Sequence, residues 1–265
     1  MGMVEEQKAL RDQFVDTFGY WNEMWNSLLL ADPEFFEAYL HFGGVPWRSQ
    51  HLDKKTKEFI HVAVDGAATH LFVPGLREHI RNAIDLGATK EELMEVLELT
   101  SSLGIHACNI GVPILVEELA ASGQPITRQW TEQQKRLKEE FERKRGYWNA
   151  FWEDMLLLDE DFFESYIHFS SVPWVSGVLE PKVKELIYTA FDVAATHLYE
   201  SGLRQHIRNA IGYGATKEEI MEVIALASTL GIHACNVGVP ILLDEIRISK
   251  SSNSSVEPSE SIRSK

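Results

Sequence analysis

The sequence predicts an all-α protein made by tandem duplication, and three observations carry that expectation. Sliding the 265-residue chain against itself by about 127 positions aligns residues 20–119 with 147–246 without a gap, and about 60 of about 100 positions are identical. That period is too long for a solenoid unit and long enough for a domain. Helix start and stop signals recur throughout, and no stretch shows the apolar–polar alternation of a strand.

Taken in order, residues 5–18 and 131–145 open the two copies as helices, with Thr131 and Gln134 forming a capping box. Residues 21–30 are short and aromatic. Asp32 caps a helix running to His41 with Pro33 at its first position, and Asp159 begins its counterpart running to His168. Val45-Pro-Trp47 and Val172-Pro-Trp174 read as breaks. Long, mostly apolar helices follow over 53–72 and 181–199. Turns at Pro74-Gly75 and Ser201-Gly202 lead into helices 76–86 and 203–213, which Gly87 and Gly214 end. Thr89 with Glu92, and Thr216 with Glu219, cap the last helix of each copy. The domains expected are 1–125 and 126–248, joined near Ser122-Gly-Gln-Pro125, with 249–265 a disordered Ser-rich tail.

Composition narrows the function. A net charge of −15 with 45 % hydrophobic and 25 % charged residues argues against nucleic acid or an anionic membrane as partner, since both need a basic surface. No unbroken apolar run approaches the ~18 residues of a membrane span, and the first ten residues are charged rather than signal-like, so a cytoplasmic protein is expected. Cys108 and Cys235 occupy equivalent places, one per copy, which gives neither a CxxC pair nor a zinc site.

The chemistry concentrates at residues 67–84 and 194–211. In the second copy Glu185, Thr189, Asp192 and Thr196 fall on one face of a helix that is apolar elsewhere. Buried carboxylates there need partners. The first copy keeps Glu58, Asp65 and Thr69, with Val62 in place of Thr189. His197 and His70 stand at the end of this helix, and His206 and His79 in the first turns of the next. Arg204 and Arg208, and Arg77 and Arg81 in the first copy, flank those histidines as a candidate carboxylate clamp. Their alternative is pairing with Glu185, Asp192 or surface acids. His233 and His106 sit within apolar helices, giving three histidines per copy in three consecutive helices; His41 and His168 are weaker candidates. His197, His206 and Glu185 could ligate a metal, but the spacing matches no metal motif, and none is expected.

These residues resemble the carboxymuconolactone decarboxylase family, which shares its all-α fold with alkylhydroperoxidase D. The resemblance covers about residues 55–115 and 182–242, and its landmarks are Glu185-Leu-Ile187, His206-Ile-Arg-Asn-Ala210 and Gly214-Ala-Thr-Lys-Glu-Glu219. In the peroxidase branch an active-site Glu precedes a CxxC pair and a His follows it. Carried across, the Glu is Glu185 (Glu58), the His is His206 (His79), and His197 (His70) replaces the first Cys. Its partner would fall near Tyr199 or Glu200, so thiol peroxidase chemistry is not expected.

What the resemblance then implies is the decarboxylase branch, which uses no cofactor and acts on a carboxylated lactone. Loss of CO2 leaves an enolate, which needs cationic hydrogen-bond donors and a proton source. His206, His197 and Glu185, with His79, His70 and Glu58, are the expected catalytic residues. Arg204, Arg208, Trp174, Tyr199 and His233, with Arg77, Arg81, Trp47 and His106, are the expected substrate contacts. The simple decarboxylase has one copy per chain and lacks a histidine at the His197 position. Single-copy members form rings of three or six, so a homotrimer equivalent to a hexamer is expected here. Other classes compatible with the sequence are a non-catalytic module binding a small acid and a redox protein using Cys108 and Cys235.

Overall fold

The computed structural model describes residues 3–254, and no strand occurs among them. The helices are α1 (Glu5–Phe18), α2 (Glu23–Ala31), α3 (Pro33–Arg48), α4 (Lys54–Gly66), α5 (Val73–Asp85), α6 (Lys90–Ser101) and α7 (His106–Ala121), then α8 (Glu132–Arg145), α9 (Phe151–Leu158), α10 (Glu160–Val175), α11 (Pro181–Val193), α12 (Glu200–Gly212), α13 (Lys217–Ser228) and α14 (His233–Ser254). Short 3-10 turns, Ser102–Ile105 and Thr229–Ile232, precede α7 and α14. The capping boxes expected at Thr89, Thr131 and Thr216 all form.

The chain divides into two compact units, Met1–Arg48 with Thr229–Lys265, and Ser49–Ser228. In the first, α1 packs on α3 and α2 packs on α14. Its core is aromatic: the Phe14 ring lies 4.3–5.8 Å from those of Phe18, Tyr20, Trp21, Trp25 and Phe36, in the offset and edge-on arrangements that rings favour.

In the second unit α4 and α11 pack on each other, α4 also on α5, α6 and α13, and α11 on α12, α13 and α6. Phe59, Val62, Leu99, Ile187 and Phe191 fill the space between them. Two buried ion pairs cross from repeat to repeat, Lys57–Glu222 at 2.6 Å and Lys184–Glu95 at 2.8 Å. A second core, centred on Phe141, Trp152 and Phe163, joins α8, α9 and α10 to Ile105 and Val112 of the α7 segment.

These compact units do not follow the boundaries of the two sequence repeats, 1–125 and 126–248. The last helix of the first repeat, α7, packs on α9 of the second, and the last helix of the second, α14, packs on α2 of the first. Periodicity marks which face of a helix is apolar, not which copy of a duplicated partner receives it.

Several local expectations fail, among them the turns at Pro74-Gly75 and Ser201-Gly202, which lie inside the first turns of α5 and α12. The Val-Pro-Trp segments are not breaks, because α3 and α10 run through Pro46 and Pro173. Proline deletes one backbone bond, and burial of Phe36, Leu40 and Trp47 in α3, and of Phe163 and Ile167 in α10, carries each helix past it. The long helices end at Gly66 and Val193 rather than at 72 and 199, because Ala67 and Ala194 turn extended. Thr69 and Thr196 are consequently exposed and off the acidic face. The tail expected to be disordered from 249 is helical to Ser254, and the remainder lies outside the described residues.

Finally, Lys90–Ala121 and Lys217–Lys250 are long and apolar enough by composition to cross a membrane, with mean hydropathy 1.5 and 1.6. Neither contains an unbroken apolar run of that length, because Gly, Ser, His and Asn interrupt the apolar residues. Exposed Ile110, Ile114 and Leu115, with Val237, Ile241 and Leu242, supply much of that hydropathy.

Candidate active site

The turn after α11 builds the site. Extended Ala194 stops the helix, and the Tyr199 N–H donates back to Asp192 O at 2.9 Å. Leu198 takes φ +51°, a left-handed conformation that costs a bulky residue about 1–3 kcal/mol. His197, just before it, is thereby turned toward Asp192. Gly202 lets the first turn of α12 pass beside the same carboxylate, since a Cβ there would collide with Asp192 Oδ2. The first repeat repeats each device with Leu71 at φ +50° and Gly75 against Asp65.

In the second repeat His206 Nδ1 lies 2.6 Å from Glu185 Oε2, and Asn209 Nδ2 donates to Glu185 Oε1 at 3.0 Å. His206 Nε2 is 4.0 Å from Asp192 Oδ2. The other Asp192 oxygen faces two more imidazoles, His106 Nδ1 at 3.7 Å and His197 Nε2 at 4.0 Å, and those nitrogens are 2.6 Å apart. His106 also stacks on Tyr199, and His206 on Tyr188. His106 comes from the first repeat, carried here by α7; sequence reasoning had grouped it with the histidines of its own copy.

Burial decides most of the protonation states. It pushes the Asp192 carboxyl up to about 7, with Glu185 adding to the rise and His206 opposing it. It drives His106 down to about 3, helped by His197 and His206, and lowers His197. In the first repeat, where His79 Nδ1 is 2.6 Å from Glu58 Oε2, burial raises Glu58 to about 8 and lowers His79 to about 4. His70 stands 3.8 Å from Asp65, whose carboxyl burial raises to about 8.

A narrow cleft of about 20 Å3 opens onto the second-repeat cluster, lined among others by His106, Asn109, Arg145, Tyr147, Tyr166, Tyr188, Tyr199, Gln205 and His206. An apolar cleft of about 300 Å3, bordered by Cys108, Phe162 and Phe169, shares Ser102, Ile105 and Tyr166 with it.

Arg145 is the residue that sequence reasoning missed. It is 3 % exposed, and its guanidinium lies over the Trp174 ring at 5.1 Å. It donates long bonds, 3.4 Å to Ser170 O and 3.5 Å to the Tyr188 hydroxyl, and also bonds Tyr166, while its Nε has no partner. A buried guanidinium with an unused N–H has the geometry to pair with an anion. In sequence it looked like one of three basic residues closing α8, a common complement to the helix dipole. The available signal was the repeat itself, because Phe18, a buried aromatic, stands at the equivalent position.

The four arginines of the expected clamp all face outward. Arg204 is exposed and paired with Glu200, Arg81 is exposed and paired with Glu78, and Arg77 and Arg208 are exposed too. They lie on the outer side of helices whose inner side carries His206 and His79, a rotation that i, i+4 spacing does not reveal. Trp174 stacks on Tyr188 and donates to its hydroxyl at 3.3 Å, behind the cleft. Trp47 belongs to the other compact unit, where it packs on Phe18, and His233 opens α14. Cys108 and Cys235 are both free thiols.

The carboxymuconolactone decarboxylase family model matches residues 33–104 and again 160–237. The chain belongs to this family. Among solved structures it is similar to a "putative gamma-carboxymuconolactone decarboxylase subunit" from Burkholderia xenovorans, at 50 % identity over 92 % of this chain and 98 % of that one, with a TM-score of 0.89. No curated protein matches at the same level of significance. The double match establishes the tandem duplication of the family's fold, as the repeat predicts.

Proposed function

We propose that the chain is a carboxy-lyase acting on a carboxylated lactone or β-oxo acid, with the second repeat carrying the chemistry. The observation behind this reading is the joint occurrence, on one cleft, of His206, paired behind it with Glu185, and the Arg145 cation whose Nε is unpartnered. Family membership and the name of the Burkholderia relative agree with it in kind.

Arg145 and the tyrosine hydroxyls hold the acid and the developing enolate oxygen, an electrostatic role that is strongest in a dry site. His206, oriented by Glu185, delivers the proton that replaces CO2 at carbon. The cleft as it stands has room for water, so substrate entry requires side chains along the adjoining apolar cleft to turn. That cleft suits the uncharged body of a lactone.

The test is CO2 release from γ-carboxymuconolactone by the purified chain and by His206→Gln. Turnover that falls by about 10²–10⁴-fold in the variant supports the assignment; turnover unchanged by the substitution refutes it. We also propose a cytoplasmic homotrimer. The exposed apolar residues that recur on α7 and α14 support self-association, and a native mass of one chain at micromolar concentration would contradict it.

A further inference from the structure

We propose that His106, His197 and Asp192 form a binding site for a divalent first-row transition-metal ion, built jointly by the two sequence repeats. The inference rests on the geometry of three atoms and does not depend on the reaction proposed above.

His106 Nδ1, His197 Nε2 and Asp192 Oδ1 are mutually 2.6, 3.7 and 4.0 Å apart. A circle through three points with those separations has a radius of about 2.1 Å, which is the bond length from zinc to imidazole nitrogen or carboxylate oxygen. One ion at its centre reaches all three. A small parting of the two rings would widen the N–metal–N angle toward that of a regular coordination shell.

The carboxylate calls for such a partner. Asp192 is fully buried, and neither of its oxygens has a hydrogen-bond partner. Unpaired buried carboxylates are costly, and the usual remedies are an ion pair or a metal. The surrounding structure also holds the set in place. The left-handed Leu198 fixes the direction of His197, Gly202 keeps the space beside Asp192 clear, and Tyr199 stacks on His106. Strained backbone of this kind persists where packing imposes it, and it concentrates at ligand sites.

Two imidazoles and one carboxylate select the ion. That donor set suits Zn2+, Fe2+, Co2+ or Mn2+, whereas Mg2+ and Ca2+ favour all-oxygen shells and Cu+ favours sulfur. Three protein ligands leave at least one coordination position open, as in catalytic rather than structural sites. His106 lines the cleft that His206 and Arg145 share, so an exchangeable ligand there meets the same space. Behind the set, Asp192 Oδ2 is 4.0 Å from His206 Nε2, and His206 is tied to Glu185. Such outer partners orient metal ligands.

The test uses the full-length chain stripped with EDTA and titrated with Co2+, reading both bound metal and visible d–d absorption. His197→Gln is the main variant, because His197 lies in a half-exposed turn; His106→Gln is the second, and circular dichroism confirms that each is folded. The parent is expected to bind one equivalent more than either variant, and the absorption of that equivalent is expected to vanish with it. No Co2+ binding by the parent, or binding equal in the parent and both folded variants, would overturn the proposal.

Discussion

The two Glu–His pairs of the second compact unit are copies of one frame that have been furnished differently. Glu58–His79 and Glu185–His206 share a 2.6 Å contact, a left-handed leucine and a glycine pressed against an aspartate. What lies over the imidazole differs. His61 stacks on His79 at 4.3 Å, while Tyr188 stacks on His206 at 4.4 Å and brings a hydroxyl that meets Trp174, Arg145 and Ser102. Tyr199 and Gln205 stand where the first repeat has Phe72 and Glu78. Duplication thus preserved the scaffold that holds a histidine against a carboxylate. The residues around it differ in charge: Glu78 adds negative charge near Glu58, whereas Arg145 adds positive charge beside Tyr188.

The comparison implies that the frame responds symmetrically to mutation and the sites do not. The largest effect is expected from the buried ion pairs. Lys57→Met and Lys184→Met each strand a buried glutamate and should each destabilise the fold by about 3–5 kcal/mol in chemical denaturation. Very unequal losses would mean that the two halves of the frame are not equivalent. Next, Arg145→Met should lower kcat/KM for an acid substrate by about 10–100-fold, the worth of a charged hydrogen bond, while largely sparing stability. Normal kcat/KM in that variant would remove Arg145 from the site. A smaller change, about 5-fold in kcat/KM, is expected for Tyr188→Phe, which keeps the ring stack and deletes the hydroxyl.

The pH dependence of stability should be the mildest discriminator. Glu58, raised to about 8, holds a proton in the folded state that the unfolded chain releases near pH 4.5. Its contribution is therefore complete below that pH and lost as pH rises through about 8. His79, lowered to about 4, acts oppositely: its contribution is complete above about 6.5 and lost as pH falls through 4. Melting temperature should decline from pH 6 to 9 in the parent and decline less in Glu58→Gln. Identical slopes would place the alkaline loss elsewhere.

Much of this architecture was legible in the residues. The repeat and the helix caps follow from spacing, and the cost of burying a carboxylate says that Glu185 needs a partner, without saying that the partner is His206. The helix ends at Gly66 and Val193 were not legible, because Ala-Ala-Thr favours helix locally and only tertiary packing imposes a left-handed leucine. The flanking arginines misled, since a residue two positions from a buried histidine points away from it. Arg145 and His106 were hidden for another reason. Both reach the site through contacts distant in sequence, and in a duplicated chain the pattern does not say which copy a helix packs against.

The central claim is that the second repeat, not the first, carries the chemistry. Its most direct test is the turnover of γ-carboxymuconolactone by His206→Gln and His79→Gln side by side, with both variants verified as folded. The account predicts a loss of at least about 100-fold for His206→Gln and near-parent turnover for His79→Gln. Equal losses in the two, or a greater loss in His79→Gln, would contradict it.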